Sequence, residues 1–330
     1  MFKEDINFSL WCDFVERSFL DGEFKELLSQ NIVNGATSNP AIFKSAFLTS
    51  EAYKKERETL KGLDAKEVYE TLAIKDIAIA ADRMNYLYEK DDDGFISFEV
   101  DPFLCDDTQG TIEEGKRLFR TIGKDNVMIK VPATDAGYSA MEELMKEGIN
   151  VNATLIFSPT QAKNTIEAFK RATETLKKNG HSKKLPQGVI SIFVSRFDSK
   201  LDKKLEGIGL PVAKVGIVNA TKIYNLIETY AMPNVRTLFA STGAKRDDLN
   251  PDYYIKELLF KNSINTAPLD TIKAFIKSKN QHEAIPSKEC DAFFEELSKN
   301  GIDIELIYEE LMHEGLLSFK DAFQQILNEL

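Results

Sequence analysis

Short runs rich in β-branched and aromatic residues alternate with stretches of helical periodicity along the whole 330-residue chain. Eight runs read as strands: 8–15, 31–38, 94–102, 126–133, 148–157, 188–197, 234–242 and, least strongly marked, 261–268. The intervening segments carry helix signals. Ser158-Pro159-Thr160-Gln161 joins a capping box to a proline at the first helical position and opens a helix reaching Lys178. Asp64 with Glu67 opens another, in which Val68, Leu72 and Ile79 fall near one face. Towards the C-terminus, Phe319, Phe323, Ile326, Leu327 and Leu330 form one stripe that the periodicity predicts to face the core. Eight strands alternating with helices predict an α/β fold whose parallel sheet closes into a (β/α)8 TIM barrel. A doubly wound open sheet has similar periodicity, but no GxGxxG or Walker sequence follows an early strand. The length allows two domains, yet no Gly/Ser/Pro-rich linker interrupts the alternation, so a single domain over 1–330 is expected.

Polar residues inside these strands change the picture further. Lys130 lies between Ile129 and Val131, on the face of Met128. Ser97, Glu99 and Asp101 share one face, opposite Phe98 and Val100. Asn150, Asn152 and Thr154 share another, and Asp13 sits with Ser9 and Trp11. In an antiparallel sheet such faces would meet solvent. In a parallel barrel both faces are covered, so these groups point into the barrel, as a satisfied polar network or as an active site. A lysine, carboxylates and an amide–hydroxyl pair together favour the active site over a passive core. Burial disfavours the ammonium form of a lysine, and the neutral amine attacks ketone carbonyls to form a Schiff base. Two carboxylates can then supply the proton transfers, with no metal or cofactor.

Composition excludes other classes. Lys+Arg number 42 and Asp+Glu 53, a net charge of −11, which argues against non-specific nucleic-acid binding. No stretch approaches the apolar length of a membrane span, and the N-terminal MFKEDINFSLW has no signal-peptide core. Cys12, Cys105 and Cys290 are odd in number and unpaired in spacing, which suits a reducing, cytoplasmic setting. His181, His282 and His313 show no metal-ligand spacing, so no metal site is expected. The densest charge run, Glu89 to Asp93, reads as a solvated turn.

With these residues assembled, the sequence resembles the transaldolase family, Schiff-base enzymes of the pentose phosphate pathway. The resemblance rests on Gly35-Ala36-Thr37-Ser38-Asn39-Pro40, Ser97-Phe98-Glu99-Val100-Asp101, Ile129-Lys130-Val131-Pro132-Ala133-Thr134, GINVNATLIFS (148–158) and ISIFVSR (190–196), in the family's order. It implies a barrel of the class I aldolase type with extra terminal helices. It also implies transfer of a dihydroxyacetone unit from sedoheptulose 7-phosphate to glyceraldehyde 3-phosphate, giving erythrose 4-phosphate and fructose 6-phosphate. Carried over by position, Lys130 is the Schiff-base lysine and Asp13 the general acid/base. Glu99 acts through a bound water that Thr154 helps to hold. Asn39 and Asn152 bind substrate hydroxyls, while Ser191 and Arg196 bind phosphate beside Phe193. After the seventh strand Ser241 is present, but position 243 is glycine where many members have a second arginine. Lys245, in a bacterial-type STGxK loop, is the candidate replacement, a point charge where arginine offers a fork. Asn39 has a second reading, as a cap for the turn at Pro40.

Two rival functions stay open: a related Schiff-base aldolase that releases the three-carbon unit to water, and a sugar-phosphate-binding barrel without catalysis. Expected partners are small phosphorylated sugars, with no nucleic acid or membrane, in a monomer or homodimer. Region 287–330 is open in role, with coverage of the barrel's outside as the simplest reading. Phosphate affinity is expected to depend on Arg196 and not on the acids Asp91 to Asp93.

Overall fold

The structure is a computed structural model that describes residues 2–181, 184–279 and 281–330. Each of the eight expected strands forms, somewhat shorter than its run: β1 Ser9–Cys12, β2 Gly35–Thr37, β3 Phe95–Glu99, β4 Val127–Pro132, β5 Asn150–Ile156, β6 Gly188–Phe193, β7 Val235–Ala240 and β8 Ser263–Ala267. They pair in sequence order as a closed parallel barrel, and β1 against β8 completes the circle. The trimmed ends, such as Arg196, belong to the loops and helix starts that follow each strand. Both expected capping boxes are present, opening the helices Ala65–Tyr88 and Pro159–Lys178. In the first of these Val68 and Leu72 are buried, while Ile79 stays half-buried and Ile77 takes the core position.

Register places the chemistry. Glu99 pairs with Lys130, and Lys130 with Asn152, so three polar side chains stand side by side on the inner face. One layer below, Trp11, Phe95, Met128, Val189, Leu238 and Ile264 fill the barrel with apolar volume. Trp11 needs a neighbour without a side chain. A Cβ on Gly35, its partner in β2, would lie 2.4 Å from the indole ring.

The floor of the barrel corrects one expectation. The acidic run is not simply a solvated turn. Asp93 is largely buried, bonded to Arg236 Nη1 at 2.8 Å and accepting from Trp11 Nε1 at 2.8 Å. Arg236 Nη2 also donates to the Ser9 hydroxyl and to the carbonyls of Asn7 and Ser263. The loop before β3 returns under the barrel, where an inward-pointing arginine on β7 requires a counter-charge. Asp91 remains exposed, paired with Lys184.

The C-terminal helix, Ile304–Glu329, corrects another. It does not lie only on the outside. Phe319, Phe323 and Ile326 are buried, and the helix runs across the C-terminal ends of the strands, packing on the Pro40–Thr49 helix and on β5. Gly315 makes the approach possible, since a Cβ there would sit 3.0 Å from Leu155. Leu155 itself adopts a left-handed conformation (φ 57°) beside the irregularity in β5. Among the described residues, no helix is long and apolar enough to cross a membrane.

Candidate active site

The C-terminal mouth of the barrel holds a cleft of about 180 Å³, room for a small polar molecule. Its walls include Asp13, Asn39, Lys130, Thr154, Ser191, Phe193, Arg196, Ser241 and Lys245. These nine come from the ends of six strands and from the loops that follow them. Glu99 and Asn152 stand directly behind this surface.

Lys130 is 5% exposed, and its ammonium is held from two sides. Nζ lies 3.1 Å from Glu99 Oε2 and donates to the Ser38 carbonyl at 3.2 Å. Burial pushes the Glu99 carboxyl up to about 7, against the pull of Lys130. Glu99 Oε1 and the Thr154 hydroxyl are buried without a hydrogen-bond partner among the described residues. A carboxyl that titrates near neutrality, with a spare oxygen, suits a group that must both give and take protons.

Asp13 follows β1 at the rim. Its Oδ1 accepts from the Thr37 hydroxyl at 2.6 Å, and Thr37 is in turn 2.6 Å from the Thr266 hydroxyl. Thr37 has one hydroxyl hydrogen. With Asp13 ionised that hydrogen points to Oδ1, so Thr266 donates to Thr37 and the two threonines form a relay. Burial raises the Asp13 pKa, opposed by Lys130, by the Thr37 hydrogen bond and by Lys245.

The end of the cleft around Arg196 has a different character. Arg196 opens the Ser195–Gly207 helix, its guanidinium 5.5 Å from the Phe193 ring centre. Burial pulls its pKa below the usual arginine value, a cost that Glu314 only partly offsets. Ser241, left-handed at φ 55°, exchanges a hydrogen bond with Ser195 at 2.9 Å. Non-glycine residues held there are strained by about 1–3 kcal/mol, and such strain gathers at functional sites. Thr242 bonds Asn265 and the Thr266 carbonyl, which anchors the start of the loop carrying Lys245.

A sequence profile described as Transaldolase/Fructose-6-phosphate aldolase matches residues 10–330. The chain belongs to the transaldolase/fructose-6-phosphate aldolase family. It is 49% identical over 329 residues to a transaldolase of Campylobacter jejuni subsp. jejuni serotype O:23/36 (strain 81-176), covering 98% of this chain and 99% of that protein. It is 46% identical over 328 residues to a transaldolase of Helicobacter pylori (strain Shi470), covering 97% and 98%.

Within this transaldolase/aldolase frame, two residues have more to do locally than the motifs suggest. Asn39 is the N-cap of the Pro40–Thr49 helix, its Oδ1 accepting from the Ile42 amide at 3.0 Å. Asn39 therefore caps the helix and lines the cleft at the same time. Asn152 is fully buried, donating to Ser97 at 2.9 Å and accepting from Ser191 at 2.6 Å. The Ser191 proton is thereby committed, so Ser191 presents lone pairs to the cleft and not the donor a phosphate oxygen needs, which counts against its expected place in phosphate binding. Asp101 turns outward to Lys66 at 2.6 Å and caps the turn at Phe103, away from the reacting groups.

Sequence reasoning missed Thr37, Thr266, the Ser38 carbonyl and Phe319. Thr37 lies inside the Gly35–Pro40 motif, on the inward parity of Gly35, and that parity is the signal available. The others become visible only when distant segments meet.

Proposed function

We propose that this chain is a transaldolase acting through a Schiff base on Lys130. It would move a dihydroxyacetone unit from sedoheptulose 7-phosphate to glyceraldehyde 3-phosphate, giving erythrose 4-phosphate and fructose 6-phosphate. We read the whole chain as one barrel domain working in the cytoplasm on phosphorylated sugars. The single observation that carries the chemistry is a buried lysine 3.1 Å from a buried carboxyl, at the base of a cleft with a second carboxyl on its rim.

Each group then has a task. Lys130 must shed a proton before it attacks the ketone carbon, and Glu99 is the base within reach. The same proton returns as water leaves the carbinolamine, and a carboxyl near half-protonation at neutral pH suits both directions. Its free Oε1 and the Thr154 hydroxyl are the groups available to hold that water. The cationic imine withdraws electrons from the adjacent C–C bond. Asp13, whose ionised form the Thr37 hydroxyl favours against the effect of burial, takes the proton of the C4 hydroxyl as the C3–C4 bond breaks. The aldehyde leaves, the enamine stays on Lys130, and an acceptor aldehyde reverses the steps. Asn39 serves the hydroxyls of the three-carbon unit, and Asn152, buried behind the cleft wall, holds Ser97 and Ser191 in place. Arg196, Ser241 and Lys245 form the phosphate grip, with Phe193 as its apolar wall.

Borohydride reduction in the presence of fructose 6-phosphate tests this reading. An irreversible adduct on Lys130, absent in Lys130→Ala, is expected, and no adduct would sink it in favour of a binding barrel. Product analysis with and without erythrose 4-phosphate separates transfer from simple aldol release.

A further inference from the structure

The C-terminal helix brings a group to the reacting centre that no motif announces. Phe319 lines the cleft with Ser318, and its ring centre is 5.5 Å from Lys130 Nζ. The ring is 5% exposed, so its position is set by packing. That packing is firm along the helix. Gly315 seats against Leu155, the Tyr308 hydroxyl donates to Asn219 at 2.7 Å, and Phe323 meets Tyr69 edge-on at 5.0 Å. Lys200 pairs with Glu310 at 2.8 Å and Glu314 at 2.6 Å, tying the exposed side to the helix that carries Arg196.

Glu99, the Ser38 carbonyl and Phe319 thus lie around Nζ, and two of them are polar. The aromatic face is the apolar part of this surround, and it lines the cleft. Resting on the Schiff-base reading above, we infer that Phe319 is a positioning residue that keeps solvent off the enamine on Lys130, so that the three-carbon unit leaves to an aldehyde and not to water. The unwanted route is simple to write. A water proton adds to the nucleophilic enamine carbon, forming a C–H bond. The resulting iminium takes up hydroxide at its carbon, the C–N bond breaks, and one water in total is consumed. The lysine amine is regenerated and dihydroxyacetone is released, with no change in oxidation state. Excluding water from a reactive intermediate is a recognised function of a closed site. Here the closure is a fixed helix.

The test uses the full-length protein and a ratio. Dihydroxyacetone released from fructose 6-phosphate alone is divided by transfer to erythrose 4-phosphate, for the wild type and for Phe319→Ala, Phe319→Val and Phe319→Leu. Both rates come from one preparation, so the fraction of folded protein cancels. The truncations to Ala and Val are expected to raise the ratio about fivefold or more, while Leu, which keeps the apolar cover, stays within about twofold. A purely structural role would lower both rates together, and an unchanged ratio in the truncated variants overturns the inference. Borohydride trapping of the wild type is run alongside. Its failure would remove the Schiff base itself, a result distinct from an unchanged ratio.

Discussion

Replacing Thr37 with valine keeps the shape of a side chain at the heart of the site and removes one hydroxyl. In the wild type that hydroxyl donates to Asp13 Oδ1 at 2.6 Å and accepts from Thr266. A hydrogen bond to a charged group contributes about 1.5–3 kcal/mol. Because it is made to the ionised form of Asp13, its loss falls on that form alone. At 1.36 kcal/mol per unit, the Asp13 pKa, already raised by burial, should climb by about one to two units more. In the proposed mechanism Asp13 is the base in C–C cleavage, so its protonated form would be inactive. The acid limb of kcat/KM for fructose 6-phosphate with erythrose 4-phosphate should therefore move upward by the same one to two units. Well above the limb the rate should approach the wild-type value. Initial rates measured between about pH 5 and pH 9 would show this, with borohydride trapping to confirm that Lys130 still reacts. A limb that stays in place, or moves down, refutes the relay. So does a rate lost equally at every pH, which would mean that valine had merely disturbed the barrel.

Other expectations are more direct. Glu99→Gln should abolish an ionisation near pH 7 in the wild-type kcat/KM profile, since the Glu99 carboxyl is pushed up to about 7 by burial; an unchanged profile would exclude Glu99 from the proton transfers. Arg196→Ala should raise KM for phosphorylated substrates about 10- to 100-fold, the equivalent of one lost charge-assisted contact, while Asp91→Ala leaves KM alone. Asp93→Ala leaves Arg236 in the barrel floor without its carboxylate, and urea unfolding should show a loss of about 3 kcal/mol. The Asp198 carboxyl is pushed up to about 6 by burial, despite hydrogen bonds from the Gly216 amide and the Tyr254 hydroxyl. Its folded form holds the proton more tightly than the unfolded chain, so stability is full below about pH 4 and declines until about pH 6. Asp198→Asn should flatten that decline and stabilise the fold at neutral pH by up to about 3 kcal/mol, readable in Tm against pH.

The barrel and the polar groups gathered inside it were legible for one physical reason. A parallel strand is buried on both faces, so every polar residue at alternate positions is conspicuous. Lys130 between Ile129 and Val131, and Glu99 between Phe98 and Val100, stand out against that background. Thr37 and Thr266 do not, because a threonine in a strand is ordinary. Arg236 and Asp93 were hidden differently. A run of acids reads as solvated until the fold brings an inward arginine from 143 residues away. Phe319 shows the limit of periodicity. Its stripe said correctly that the helix face is buried, yet a stripe does not name what it is buried against.

The in-register row of Glu99, Lys130 and Asn152 carries a further consequence. These side chains are borne by three adjacent strands in the hydrogen-bonded wall of a closed barrel, the part of a fold that opens only when everything opens. The carbon chemistry therefore has no melting point of its own. Lys245, by contrast, hangs on a loop between β7 and β8 and can loosen first. On warming, the proposed grip on phosphate should weaken before the lysine loses its alignment, so KM would rise while kcat still holds. Heat would first make this protein less selective and only afterwards inactive.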